Sequence, residues 1–115
     1  MSLAVVSLSG GMDSTVTTAI ARAEGFELAL LHADYGQRTE VRERRAFVEV
    51  ADHYGVPAAR RLVVDFTGLR IIGGSALTDT AIALPEGDLA RSGVPASYVP
   101  FRNAHLLSAA TSWAE

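Results

Sequence analysis

The sequence predicts an α/β fold built on a parallel, open sheet. Three observations carry that prediction: short, nearly continuous apolar runs, helical stripes set between them, and a glycine-serine turn directly behind the first run. Read along the chain, the order is β-α-β-α-β, then a long irregular stretch, then a third helical stripe. At 115 residues and 49% hydrophobic content, the chain is expected to form a single domain, 1–115, with its own core.

The first strand is expected at Ala4 to Leu8. Behind it comes Ser9-Gly10-Gly11-Met12-Asp13-Ser14, and then a helix whose apolar residues Val16, Ala19, Ile20 and Ala23 recur at helical spacing and stop at Gly25. Phe26 to Ala33 gives the second strand. Phe47, Val50, Ala51 and Tyr54 mark the buried face of a second helix ending at Gly55, and Arg61 to Val64 gives the third strand. From Asp65 to Phe101 the chain is rich in Gly, Pro, Ser and Thr and has no sustained period. Connections above about 12 to 15 residues are uncommon in compact domains unless functional or disordered, so a partly ordered lid over the site is expected. The last stripe, Leu106, Ala109, Ala110 and Trp113, has no stop signal, and Trp113 is expected in the core.

Open parallel sheets bind ligands outside the carboxyl ends of their strands. Three polar segments gather at that edge: Ser9 to Ser14 from the first strand, Asp34-Tyr35-Gly36-Gln37-Arg38 from the second, and Asp65 with the long stretch from the third. The opposite turns, at Glu24-Gly25 and Gly55-Val56-Pro57, look like ordinary caps. Ser9 to Ser14 has the chemistry of a pyrophosphate cradle. Adjacent glycines allow a tight turn and close approach of backbone to ligand, while serine hydroxyls and the free N–H groups of a helix start donate to phosphate oxygens. That points to ATP.

Composition narrows the chemistry. All ten basic residues are arginine, so a Walker-type lysine and any amine nucleophile are excluded within this chain. No cysteine is present, which excludes thiolate catalysis, disulfides and cysteine-ligated zinc from these residues. A net charge of −3 gives no broad attraction to nucleic acid, and no signal pattern or long apolar span is seen, so a cytoplasmic protein without membrane contact is expected. Asp34 ends the second strand, where the ribose-binding acid of a nicotinamide enzyme would stand. Gly10 and Gly11 are adjacent and no third glycine enters the helix, so the G-x-G-x-x-G fingerprint is not met.

Ser9, Gly10, Gly11, Asp13 and Ser14 fit the S-G-G-x-D-S mark of the PP-loop ATP pyrophosphatases, which the chain resembles. Asp34-Tyr35-Gly36-Gln37-Arg38, Gly73-Gly74-Ser75-Ala76-Leu77-Thr78 and Tyr98-Val99-Pro100-Phe101-Arg102-Asn103 narrow the resemblance to the 7-cyano-7-deazaguanine synthase (QueC/ExsB) family of queuosine biosynthesis. The resemblance implies a Rossmann-like PP-loop fold of the adenine nucleotide alpha hydrolase type. It also implies an ATP-dependent ligase that converts 7-carboxy-7-deazaguanine and ammonia to a nitrile through adenylated intermediates, and a homodimer. Family members usually carry a histidine where Thr39 stands and a longer C-terminal part with a four-cysteine zinc site. The fold is therefore expected to be cut short at the C-terminus, as about half an enzyme, with the activity of the short chain left open.

On this resemblance the cofactor-binding segment runs through Leu8, Ser9, Gly10, Gly11, Met12, Asp13, Ser14, Thr15, Val16, Thr17 and Thr18. Asp13, Ser14 and Arg102 are the expected catalytic residues. Loop N–H groups, the helix dipole and the hydroxyls of Ser9 and Ser14 would balance charge on departing pyrophosphate. Asp13, an anion beside an anion, fits either as a helix cap or as a contact to magnesium. Arg102 is the expected phosphate contact from the far side and Asn103 the cap of the third helix, with plain helix-start chemistry as the rival account of both. Asp34, Gln37, Ser75 and Thr78 are the expected substrate contacts, loop solvation being the rival for Gln37, Ser75 and Thr78.

Other residues read as structural. Arg38, Arg42, Arg44 and Arg45 interleave with Glu40, Glu43 and Glu49 at helix-pair spacing, so most belong to a solvated face, with RNA contact a weak alternative. His32, His53 and His105 lack the spaced partners of a metal site. Two rival functions remain: another PP-loop enzyme that amidates or modifies tRNA, and a non-catalytic ATP-binding or oligomerising module.

Overall fold

A computed structural model describes residues 2–68 and 102–115. The elements are β1 (Leu3–Ser7), α1 (Met12–Ala23), β2 (Glu27–Asp34), α2 (Glu40–His53), a single 3-10 turn (Ala58–Arg60), β3 (Arg61–Asp65) and α3 (Arg102–Ala114). The strands form a parallel sheet in the order β1-β2-β3, with Ser7 opposite Leu31 and Asp34 opposite Asp65. The expected fold class is therefore present, and all three carboxyl ends lie along one edge. The expected lid, with its Gly73–Thr78 and Tyr98–Phe101 motifs, lies outside the described residues apart from its first four, Asp65 to Gly68.

β2 reads as one apolar run because it is the central strand and is covered on both faces. Its even-numbered residues Leu28 and Leu30 join Val6, Leu8, Phe47, Ala51 and Val56 in the core, with Ala21 of α1 and Val50 and Tyr54 of α2 packed against it. The odd-numbered Ala29, Leu31 and Ala33 are buried on the other face. There α3 lies against β1. Gly25 and Gly55 close α1 and α2 with positive φ, 91° and 64°, and each helix ends in the paired carbonyl bonds of a Schellman motif.

The helical stripe of α2 packs as expected, but that of α1 does not. Val16 and Ile20 are 51% and 53% exposed, whereas Thr18 is wholly buried. The face turned to the sheet is Ser14, Thr18 and Ala21, and its rotation is set by Ser14, which reaches back into the loop behind β1. Thr18 tolerates burial because its hydroxyl donates to the Ser14 carbonyl at 2.8 Å. Trp113, expected in the core, is only half-buried, since among the described elements it is β1 that supports α3.

Candidate functional site

The loop behind β1 is built around the Ser14 hydroxyl. Its Oγ accepts the Ser9 N–H at 3.2 Å and lies 3.1 Å from Ser9 Oγ and 3.3 Å from the Gly11 carbonyl. Ser9 Oγ in turn accepts the Gly11 N–H at 3.2 Å. The loop is thus cross-linked to the first turn of α1 by side chains too short to allow slack.

Gly10 supplies the turn, with φ of +92°, and it is also pressed against α2. A Cβ placed there would stand 2.6 Å from Ala46 Cβ and 3.0 Å from the Glu43 carbonyl. Gly11 is extended, at φ −77° and ψ 172°, and caps α1 without any side-chain bond. The first intrahelical bond runs from Thr15 N–H to the Gly11 carbonyl at 3.1 Å, so the N–H groups of Met12, Asp13 and Ser14 precede it at the positive end of the helix dipole. Asp13 sits inside the first turn. It is not the cap, which corrects one of its two expected roles and leaves its carboxylate exposed beside the loop.

Beneath the loop, His32 on β2 is buried. Its Nδ1 lies 3.0 Å from the Leu8 carbonyl, which can only accept, so Nδ1 carries the proton; the ring packs on Phe47 of α2 at 5.2 Å. Nε2 is buried with no hydrogen-bond partner among the described residues.

A cavity of about 290 Å³ opens beside Ser9, between the strand ends and the start of α3, and Tyr35, Gln37, Glu43 and Arg102 supply most of its polar groups. Arg102 is the first residue of α3, and its guanidinium lies over the Tyr35 ring, 5.7 Å from the centroid, with Nη1 donating to Tyr35 Oη at 3.4 Å. Burial pushes the Tyr35 phenol above the ordinary tyrosine value; Arg102 pulls it down and the Glu43 carboxylate adds to the rise. Asn103 lies within the first turn of α3 and lines the same cavity, so it is not the cap it was expected to be.

The segment after β2 is braced against α2. Asp34 pairs through Oδ2 with Arg44 at 3.0 Å, and its Oδ1 accepts the Gly36 N–H at 3.3 Å. Gln37 accepts the Tyr35 N–H at 2.9 Å and donates to Glu43 at 2.6 Å and to the Ala33 carbonyl at 3.4 Å. Gln37 reaches the cavity; Asp34 is not among its lining residues. Ser75 and Thr78 lie outside the described residues. At the end of β3, the Thr67 backbone N–H and hydroxyl hold the Asp65 carboxyl below its ordinary value, and Phe66 packs on His105 at 5.7 Å.

Tyr35, Glu43 and Arg44 join the site without a local sequence pattern that marks them as site residues. Glu43 and Arg44 looked like members of a solvated charged face, yet one lines the cavity and the other holds Asp34. The signal available for Tyr35 was an aromatic side chain one residue past a strand end, on the same alternation as Ala33.

A parallel α/β sheet with a serine-glycine loop leading from the first strand into the first helix is the architecture of the PP-loop fold. The model of the family described as "Queuosine biosynthesis protein QueC" matches residues 3–115, and the chain belongs to that family. Proteins named 7-cyano-7-deazaguanine synthase from Chlorobium luteolum and Chlorobaculum parvum are each 54% identical over 112 residues, 97% of this chain and 48% of theirs. One from Chloroherpeton thalassium is 56% identical over 112 residues, 97% of this chain and 49% of its own. The chain spans about half the length of the curated relatives it matches.

The four-cysteine zinc site that the resemblance implies for the full-length family does not fit the residues present. The 115 residues contain no cysteine, and among the described residues no group of three or more His, Cys, Asp or Glu is placed to hold a metal ion. No helix among the described residues is long and apolar enough to cross a membrane.

Proposed function

We propose that this chain is the ATP-binding part of a ligase that makes 7-cyano-7-deazaguanine from 7-carboxy-7-deazaguanine and ammonia. The observation that carries the reading is the loop. Gly10 turns it tightly, Ser9 and Ser14 lock it, and the N–H groups of Met12, Asp13 and Ser14 stand at a helix start, an arrangement suited to pyrophosphate.

In the reaction, the substrate carboxylate attacks the α-phosphorus of ATP and the bond to pyrophosphate breaks. Ammonia then displaces AMP to give the amide. A second ATP activates the amide oxygen, which leaves with AMP as protons are lost and the nitrile forms. The loop holds pyrophosphate as it departs. Arg102 offers positive charge from across the cavity, and the exposed Asp13 would hold a magnesium ion, which takes only one or two protein carboxylates and would offset phosphate charge. Gln37 is the substrate contact that the cavity favours, through the second lone pair of the Oε1 that already accepts the Tyr35 N–H, both of its amide hydrogens being engaged; Asp34, Ser75 and Thr78 belong to the set in this reading. The reading includes a cytoplasmic location and a homodimer; the apolar stripe of Met12, Val16 and Ile20 that α1 turns outward supports the dimer alone.

Ser14→Ala tests the loop. It removes three loop contacts but no core volume, so ATP affinity is expected to fall about tenfold or more, as read by calorimetry, with a smaller loss of stability, about 0.5–1 kcal/mol, for the exposed hydrogen bonds that orient α1. Equal losses in affinity and stability would make Ser14 a structural residue only. For the reaction, this chain replaces the matching half of the Chlorobium luteolum synthase. The chimera is expected to release AMP and pyrophosphate and to form the nitrile; a folded chimera that binds ATP but yields neither product contradicts the reading.

A further inference from the structure

We propose that Tyr35 is the positioning residue of Arg102, holding its guanidinium at the cavity so that phosphate affinity depends on Tyr35 through Arg102. The proposal rests on the reading of Arg102 as a phosphate contact. Arginine carries much rotamer freedom, and a cation that acts on phosphate must be held without having its donors consumed. A tyrosine does this: the ring attracts the cation by its face, and the hydroxyl takes one of five N–H donors. Both contacts are present, at 5.7 Å and 3.4 Å.

Tyr35 is suited to the task because its own backbone is fixed. Its N–H is bonded to Gln37, which is tied to Glu43 of α2, while Asp34 before it is paired with Arg44 and bonded to the Gly36 N–H after it. The segment expected to read substrate thus also forms a rigid bracket between α2 and the first residue of α3. Glu43 lines the same cavity as Arg102. Without the aromatic ring to hold it, the guanidinium would be drawn toward that carboxylate and lost to phosphate.

The test titrates inorganic pyrophosphate into the full chain and into Tyr35→Leu, Tyr35→Phe, Arg102→Ala and the Tyr35→Leu/Arg102→Ala double variant, with folding followed by circular dichroism. Arg102→Ala is expected to weaken binding about tenfold. Tyr35→Leu should lose nearly as much, Tyr35→Phe less because it keeps the ring, and the double variant no more than Arg102→Ala alone. Normal binding by Tyr35→Leu beside weakened Arg102→Ala overturns the proposal, as do losses that multiply in the double variant. If Tyr35→Leu does not fold, the tyrosine titration of Arg102→Ala decides the pairing. If Arg102→Ala binds normally, the phosphate role of Arg102 falls and this proposal with it, while a loss in Ser14→Ala would still uphold the loop. An alkaline titration of tyrosine absorbance supplies a second readout: removing Arg102 should move one of the three tyrosines to higher pH, and no movement overturns the pairing.

Discussion

Gly10→Ala is expected to destabilise the protein by about 2–4 kcal/mol, by adding a left-handed backbone penalty to a steric one. At φ +92° an L side chain is strained wherever it points, and here its Cβ would meet Ala46 Cβ at 2.6 Å and the Glu43 carbonyl at 3.0 Å. The second contact is backbone in the first turns of α2, so relief requires the loop or the helix to move. Gly25→Ala is the control. Its φ is +91° with nothing within 4 Å, so only the conformational cost of about 1 kcal/mol applies. Thermal or urea unfolding of the two variants separates the terms, and ATP binding should be lost in Gly10→Ala alone. Equal destabilisation would mean that α2 does not buttress the loop.

Phe47→Ala is expected to cost about 3–5 kcal/mol, the range for removing a wholly buried aromatic ring. Phe47 is 2% exposed, belongs to the core cluster, and packs on the His32 ring that is bonded to the Leu8 carbonyl. Its loss opens a cavity under the strand end that carries the loop, so ATP affinity should fall together with stability. Val48→Ala, one residue on and 43% exposed, should change stability by no more than about 0.5 kcal/mol. A large effect at Val48 with a small one at Phe47 would reverse the assigned faces of α2.

Much of this was legible in the sequence because the sheet and α2 obey simple burial. The strands are short apolar runs, and β2, covered on both faces, is the longest of them. α2 places Phe47, Val50, Ala51 and Tyr54 on one side because that side has nothing to do but pack. α1 misleads for a physical reason. Its rotation is dictated by Ser14 reaching Ser9, and once Ser14 faces the sheet, Thr18 and Ala21 follow at i+4 and i+7, leaving the more apolar stripe outside. A requirement of the loop overrides hydrophobic periodicity there.

The site was legible as an edge and as a loop, but not in its bracing. Asp34 and Gln37 looked like ligand contacts because they are polar residues at a strand end, and polar residues at a strand end can equally serve one another. The partners that engage them, Arg44 and Glu43, are separated from them by a turn and enter from the second helix, so no local pattern marks the pairing. Tyr35 was hidden for a similar reason: its partner, Arg102, lies across the long stretch between β3 and α3.

The most direct test of the loop as a pyrophosphate cradle is to follow backbone amide resonances of the full chain while titrating pyrophosphate. The amides of Gly11, Met12, Asp13 and Ser14 are expected to move together, saturably, and at the concentration where ATP competes. Shifts confined to the arginines on the outer face of α2, with the loop amides unmoved, would contradict the account.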